Sequence, residues 1–537
     1  MLRIVLFLFA ILPAVIPASA QTAPPLLERI TQVTNRPIFK HSTIGVEVYD
    51  LTEHKILVAI NEQKLFNAGS TTKLVTEGTA LALLGENYRF HTRVYYTGSI
   101  APDGTLEGDL ILVAAGDPNL SGRVMLDDTL DFNPSDHAYA GVLGGKSVPG
   151  EPLRVFKKLA SGVLMSGIWR IRGNVIVDAS LFPSSQVEPG THTTISPVVL
   201  NDNVIDVIAT SAPSAGGPVS VEASPALPYL NVINKVRTGK EDSGPELQFT
   251  SDIIEADGSH TVVLEGSVPA GHRKAQAAYK VNDPVLFAAE GFREALRWAK
   301  ITLEAPAQSA PESIPHFYPK ENLLAEHISP PFKQEVKLTL KVSQNLHAAI
   351  TPYLLGATLG HGSNDAFQKG MALERKFLLN AGLGPESVSQ LDGEGGIGSA
   401  FSPDFMVRYL AYMSRQPYGK LLLDSLPVLG RDGTLAGLMQ DSPAAGHVHA
   451  KTGSYVVSNA LNNGVILLAK GLAGYIDAAN GHKLIFAAYV NLVPLRDMDD
   501  VAGVGESLAE MAEMAYRNAS PSAPAAPKAP RSKPTHH

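Results

Sequence analysis

Residues Asn67–Gly85 read NAGSTTKLVTEGTALALLG and hold a serine three positions ahead of a lysine at the mouth of an apolar run. Leu74, Leu81 and Ala82, with Gly78 between them, recur at steps of three and four, which predicts an amphipathic helix with one buried face, stopped at Gly85. A spacing of three puts Ser70 and Lys73 on one side of the helix N-terminus, with the lysine drawn toward the buried face. Serine is a poor nucleophile until a neighbouring base takes its proton, and a lysine made neutral by burial or by a second cation can be that base. Backbone N–H groups at the helix start, that of Ser70 among them, can stabilise an oxyanion. The plain alternative is a capped helix with a snorkelling lysine, since Ser-x-x-Lys arises by chance roughly once or twice in a chain of this length.

Two further segments bear on that choice. HVHAKTGSYVV, from His447, predicts a strand carrying Lys451-Thr452-Gly453, in which the lysine and threonine can bind a carboxylate and the glycine lets a substrate backbone lie close. Chance supplies Lys-Thr-Gly only about 0.1 to 0.2 times in such a chain. PFKQEVKLTLKVSQNLHAAI, after Pro330, places Ser343 and Asn345 in a mostly helical stretch and adds a second hydroxyl and an amide. Ser-x-x-Lys, Ser-x-Asn and Lys-Thr-Gly, in this order, form the motif set of penicillin-binding proteins and class A β-lactamases.

Bulk properties set the compartment and the size. The opening MLRIVLFLFAILPAVIPASAQTAPP has one arginine, an apolar run and Ala18-Ser19-Ala20, the layout of a signal peptide cleaved after Ala20, which implies an exported, soluble mature chain in the periplasm. No later run of about 18 apolar residues predicts a membrane span. The 537 residues, 45% hydrophobic, suffice for about three domains. The absence of cysteine excludes thiol catalysis and cysteine metal sites, and the net charge of −8 gives no reason to expect nucleic acid as a partner. The C-terminal NASPSAPAAPKAPRSKPTHH predicts a disordered tail over 518–537.

Ile44–Tyr49 and Ile56–Ile60 predict a hairpin around DLTEHK, while HKLIFAAYVNLV predicts a strand and 499–517 a helix near the other end. Elements at both ends imply one α/β domain from 21–89 and 283–517, an antiparallel sheet flanked by helices. The stretch 90–282 is strand-like and rich in turn signals, predicting a β-rich inserted region, in one or two modules.

The resemblance extends beyond the three triplets. VEVYDLTEHKILVAINEQKLFNAGSTTKL, GDLILVAAGDPNL, GNVIVDASLF, AEHISPPFKQEVKLTLKVSQNLHA, GRDGTLAGLM and HAKTGS follow the order seen in the D-alanyl-D-alanine carboxypeptidase/endopeptidase family. These are the class C low-molecular-mass penicillin-binding proteins, of penicillin-binding protein 4 type, and the chain resembles them from about 40 to 515. The resemblance implies a serine β-lactamase/D,D-peptidase-like fold with a large insertion between Ser70 and Ser343, for which a β-lactamase has no room. It implies Ser70 as the acylated nucleophile, Lys73 as its base, Ser343 as a proton relay and Asn345 as a holder of the substrate backbone. Lys451, Thr452 and Gly453 would bind the terminal carboxylate and substrate strand, Lys451 also keeping Lys73 neutral, and the N–H groups of Ser70 and Ser454 would form the oxyanion hole. The implied partners are peptidoglycan stem peptides and, as covalent inhibitors, β-lactams; no cofactor and no metal is expected.

The chain departs from the family pattern at Gln344, where aspartate is common, at DGEGGIGSAFSP from Asp392, and at a lengthened NNGVILLAKG from Asn462. These departures bear on turnover and substrate preference rather than reaction class. Gly393–Gly398 matches a dinucleotide-binding pattern without the strand-turn-helix context that would support it. Arg237-Thr238-Gly239 mimics Lys-Thr-Gly but lies in the insertion, where a turn is expected, and His447 and His449 share a strand face without further evident ligands. The rivals are a β-lactamase or D-aminopeptidase/esterase on the same scaffold, and a non-catalytic cell-wall-binding protein.

Overall fold

The computed structural model describes residues 24–518 apart from 135, 138–144, 185, 307–316 and 361–363, so the expected signal peptide and all but the first residue of the expected tail lie outside the described residues. The expected hairpin forms from Thr43–Asp50 and Lys55–Ile60, its turn fixed by the Asp50 carboxylate, which accepts the N–H groups of Thr52 and Glu53 at 2.9 and 3.0 Å. Thr43–Asp50 pairs antiparallel with Lys483–Asn491, which pairs with Gly464–Asp477, which pairs with Val448–Asn459. With Val493–Leu495 added to Gly464–Asp477, these make one antiparallel sheet of six strands built from both ends of the chain.

Side-chain alternation along these strands divides two cores. Ile485, Ala487 and Tyr489 enter a core shared with the helices Thr72–Leu84, Phe332–Val342, Asn345–Leu359 and Pro403–Met413. Leu484, Phe486, Ala488 and Val490 face the opposite core, covered by Leu26–Thr34 and Asp500–Asn518. The helix after Ser70 is not amphipathic: Thr72 to Leu81 are all buried. It is enclosed on every side by neighbouring helices and the sheet, so a one-sided apolar stripe is not what the site requires.

The inserted region has a third core running from Val94 to Ile301. It is β-rich but holds two packed helices, Arg154–Met165 and Pro284–Trp298, joined through Phe156 and Phe292 with ring centroids 5.6 Å apart. This corrects the expected boundary at 282. Pro284–Trp298 buries its apolar face in the third core, and Leu323–Ile328 pairs antiparallel with His91–Tyr96 in a sheet with Leu110–Val113 and Val175–Asp178. The chain leaves at Phe90 and returns at Ser329, where Ser329 N–H donates to the Phe90 carbonyl at 3.0 Å and Phe90 N–H to Ser329 Oγ at 2.9 Å. Arg237-Thr238-Gly239, expected as a turn, ends the strand Leu230–Gly239, paired parallel with His260–Pro269.

No helix among the described residues is long and apolar enough to cross a membrane.

Candidate active site

Gly69–Thr71 is a 3-10 turn running directly into the helix Thr72–Leu84, and it carries the half-buried Ser70. Two glycines let this turn meet the strand Val448–Asn459. A Cβ on Gly453 would fall 2.3 Å from the Ala68 carbonyl oxygen and 3.0 Å from Ser70 N, and one on Gly69, at φ +53°, 2.8 Å from Ser454 N. The backbone nitrogens of Ser70 and Ser454 are thereby brought to one place.

Lys73 has no exposed surface. Its Nζ donates to Ser70 Oγ at 2.8 Å, Asn345 Oδ1 at 2.7 Å and the Glu394 carbonyl at 3.0 Å. Burial holds its ammonium below the usual lysine range, against the opposing pull of Glu394, Glu188, Asp392 and Glu77. The Glu394 carbonyl is aimed by its own loop, in which the Asp392 carboxylate collects the N–H groups of Glu394, Gly395 and Gly396. The Gly393–Gly398 pattern is therefore a turn wrapped around Asp392 and packed on Gly69, where a Cβ on Gly395 would strike the Gly69 carbonyl.

On the opposite wall Ser343 caps the helix Phe332–Val342 in the left-handed region, φ 64°, and the next helix starts at Asn345. Lys451 Nζ donates to Ser343 Oγ at 2.8 Å and to the Thr452 carbonyl at 2.9 Å. Burial, with Lys73 and Lys470 nearby, pushes the Lys451 ammonium well below its ordinary value. Lys73 is depressed chiefly by burial rather than by Lys451. Thr452 Oγ1 lies 2.9 Å from Thr434 Oγ1, and Ser454 Oγ accepts from Lys470 Nζ at 2.8 Å. The structure thus gathers all eight residues expected at the site into one cleft.

It also brings in residues the sequence did not single out. The Gly190 N–H of the inserted region bridges two carboxyl groups, Glu188 at 2.7 Å and Glu394 at 3.0 Å, and a Cβ on Gly190 would lie 2.5 Å from Asn345 Nδ2. Burial and the Glu188 carboxyl beside it raise the Glu394 carboxyl well above the usual range. Behind Ser343–Asn345 runs a buried ion network. Asp202 of the inserted region accepts from Arg123 at 2.6 Å, His347 at 3.1 Å and Gln344 at 3.3 Å, while His347 meets Glu335 at 2.9 Å. Gln344 stands among the departures, and Glu335, His347, Glu394, Thr434 and Lys470 lie in segments that depart from or match the family pattern; a turn such as Glu188–Gly190 carries no such signal.

His447 stacks on Tyr516 at 5.2 Å between centroids, and among the described residues no group of three or more His, Asp or Glu side chains is arranged to hold a metal.

Comparison with known proteins accords with this geometry. The chain is 25% identical over 492 residues to a D-alanyl-D-alanine carboxypeptidase of Actinomadura sp. (strain R39), covering 88% of this chain and 84% of the relative. It is 22% identical over 470 residues to the D-alanyl-D-alanine carboxypeptidase DacB of Haemophilus influenzae, covering 85% and 87%. The crystal structure of penicillin binding protein 4 (dacB) from Haemophilus influenzae shares the fold, with a TM-score of 0.70 at 21% identity over 91% of this chain and 99% of the other. The profile of one family matches residues 26–510, a span that takes in the serine turn, the Ser343–Asn345 turn, the Lys451 strand and the inserted region together. A match of that extent, over a cleft assembled from all four, means that the chain belongs to the D-Ala-D-Ala carboxypeptidase 3 (S13) family.

Proposed function

We propose that the protein is an exported, periplasmic serine D-alanyl-D-alanine carboxypeptidase/endopeptidase that works on peptidoglycan stem peptides through an acyl-enzyme on Ser70. The observation that carries this reading is the 2.8 Å separation between Ser70 Oγ and the Nζ of Lys73, a lysine without exposed surface, across which a neutral amine accepts the hydroxyl proton. Neutral Lys73 takes the Ser70 proton as Oγ attacks the carbonyl of the penultimate D-alanine, and the oxyanion forms beside Ser70 N and Ser454 N. Ser343, held by Lys451, relays a proton to the leaving amine, so that the C–N bond breaks and D-alanine or a cross-linked strand departs. Asn345 holds the substrate backbone, and Thr452 and Gly453 hold its terminal carboxylate and strand. Water then hydrolyses the ester. β-Lactams, which carry a strained amide and a carboxylate, enter the same cleft and acylate Ser70.

The test is intact-protein mass spectrometry after incubation with benzylpenicillin. The parent should carry a persistent penicilloyl adduct and Ser70→Ala none. Rapid drug hydrolysis without an adduct would identify a β-lactamase, and neither adduct nor hydrolysis a non-catalytic wall-binding protein.

A further inference from the structure

Two segments far apart in sequence grip the surroundings of Lys73. The Glu188–Gly190 turn of the inserted region presses on Asn345, since a Cβ on Gly190 would fall 2.5 Å from Asn345 Nδ2. The Asp392–Gly396 loop presents the Glu394 carbonyl to Lys73 and packs on that turn, where a Cβ on Gly396 would lie 3.1 Å from Pro189 Cγ. Asn345 Oδ1 and the Glu394 carbonyl are two of the three hydrogen-bond partners of Lys73 Nζ, the third being Ser70 Oγ. Turn and loop are joined by their carboxyl groups. Gly190 N–H lies 2.7 Å from Glu188 Oε2 and 3.0 Å from Glu394 Oε1, and the two side chains hydrogen-bond to each other.

A hydrogen bond between two carboxyl groups requires a proton on one of them, and the surroundings say which. Glu188, without exposed surface, also accepts from the N–H and the hydroxyl of Thr191, so donors match its charge. Glu394 is equally enclosed, but its Oε2 accepts no hydrogen bond among the described residues, which disfavours a charge there. The proton therefore sits on Glu394. The other ionisable groups facing it are Lys73 on the serine helix, Asp392 in its own loop and the Tyr455 phenol on the strand Val448–Asn459. Burial and Glu188 place the loss of this proton well above the usual carboxylate range. Once it is lost, a single N–H faces two carboxylates that repel each other.

We propose that Glu394 is a positioning residue: by sharing a proton with Glu188 it clasps the inserted region to the loop beside Lys73 and keeps Asn345 and Lys73 in line with Ser70, and the clasp opens when both carboxyls ionise. The inference rests on the acyl-enzyme reading above and adds an alkaline control to it, set in a loop where the chain departs from its family's pattern.

The test is the second-order rate of acylation by benzylpenicillin, followed from neutral to alkaline pH in the parent, Glu394→Gln and Glu394→Ala. Glutamine accepts from Gly190 and donates to Glu188 as the protonated carboxyl does, and it cannot ionise. The ratio of the Glu394→Gln rate to the parental rate should be flat near neutrality and then climb by about tenfold per pH unit once the parental pair ionises. A ratio cancels any limb owed to groups both proteins keep, such as Lys470, which burial brings to about 8. Glu394→Ala has no clasp and should be acylated about tenfold or more slowly than Glu394→Gln at every pH. A Glu394→Gln ratio that stays flat into the alkaline range, or a Glu394→Ala rate equal to that of Glu394→Gln, overturns the proposal. A parent that forms no penicilloyl adduct at any pH would remove the serine-peptidase reading, and this proposal with it.

Discussion

At Lys73 two opposing effects meet on one nitrogen. Complete burial disfavours the ammonium, while four acidic residues favour it, and burial prevails. A protonated Lys73 cannot accept the Ser70 proton, so acylation should fall as pH drops through its lowered value. Glu394 enters this balance twice: its carbonyl holds Lys73, while its carboxyl, raised well above the usual range by burial and Glu188, pulls on the ammonium only where it is ionised and not on the acid side, where it is protonated. Glu394→Gln copies that protonated form and retains the carbonyl. The acid limb of its acylation rate against pH should therefore coincide with that of the parent. A limb displaced to lower pH would mean that the parent carries a full negative charge there.

At the scale of elements, the Ser343–Asn345 turn is held from outside its own domain. Ser343 sits in backbone space unfavourable for a side chain, and Gln344 and His347 on either side of Asn345 tie it to Asp202. His347 lies between Glu335 and Asp202, and these carboxylates overcome burial to raise it to about 10 from an ordinary 6.5. A group raised in this way stabilises the fold fully below its unfolded value, and that contribution is lost as pH climbs through the folded value. His347→Gln should thus cost about 3–5 kcal/mol near pH 6, the scale of an uncompensated buried charge. The Tm gap between parent and variant should narrow by pH 10, and a gap independent of pH would contradict the charged pair.

The same elements show what a sequence can disclose. Ser70, Lys73 and the Lys451 strand were legible because nearby residues on one element must face together, and the terminal strands because alternation in IFAAYV has a direct meaning in a sheet. Asp202, Glu188 and Arg123 were not, since their partners lie on elements brought near only by the fold. The all-round burial of the serine helix was hidden for a related reason: its threonines and its Glu77 read as polar, yet they are enclosed. Glu77 meets Thr351 at 3.1 Å, and burial raises its carboxyl to about 8. The far boundary of the insertion was missed because the strand Leu323–Ile328 finds its partner more than two hundred residues back.

For the whole molecule, the adjacency of Phe90 and Ser329 suggests a geometrically easy excision, joining 90 to 329 by a short linker. The ion network argues that this would fail functionally. Without Asp202, Gln344 and His347 lose their shared anchor, Glu335 and His347 keep each other but not Asn119 or Asp202, and the wall at Gly190 is gone. The excised protein should show no penicilloyl adduct under conditions where the parent is fully labelled, and an adduct at parental rate would make the inserted region dispensable to the site.

The pairing of Thr43–Asp50 with Lys483–Asn491 has a temporal consequence. These strands are made at opposite ends of synthesis, so the central sheet cannot close until nearly the whole chain has emerged, and a contact spanning that distance is entropically slow to form. Ser70 meets Gly453 and Ser454 only through that closure. A growing or truncated chain therefore carries the nucleophile and its base without the opposing strand, and hydrolytic power over the wall arises at the last step of folding.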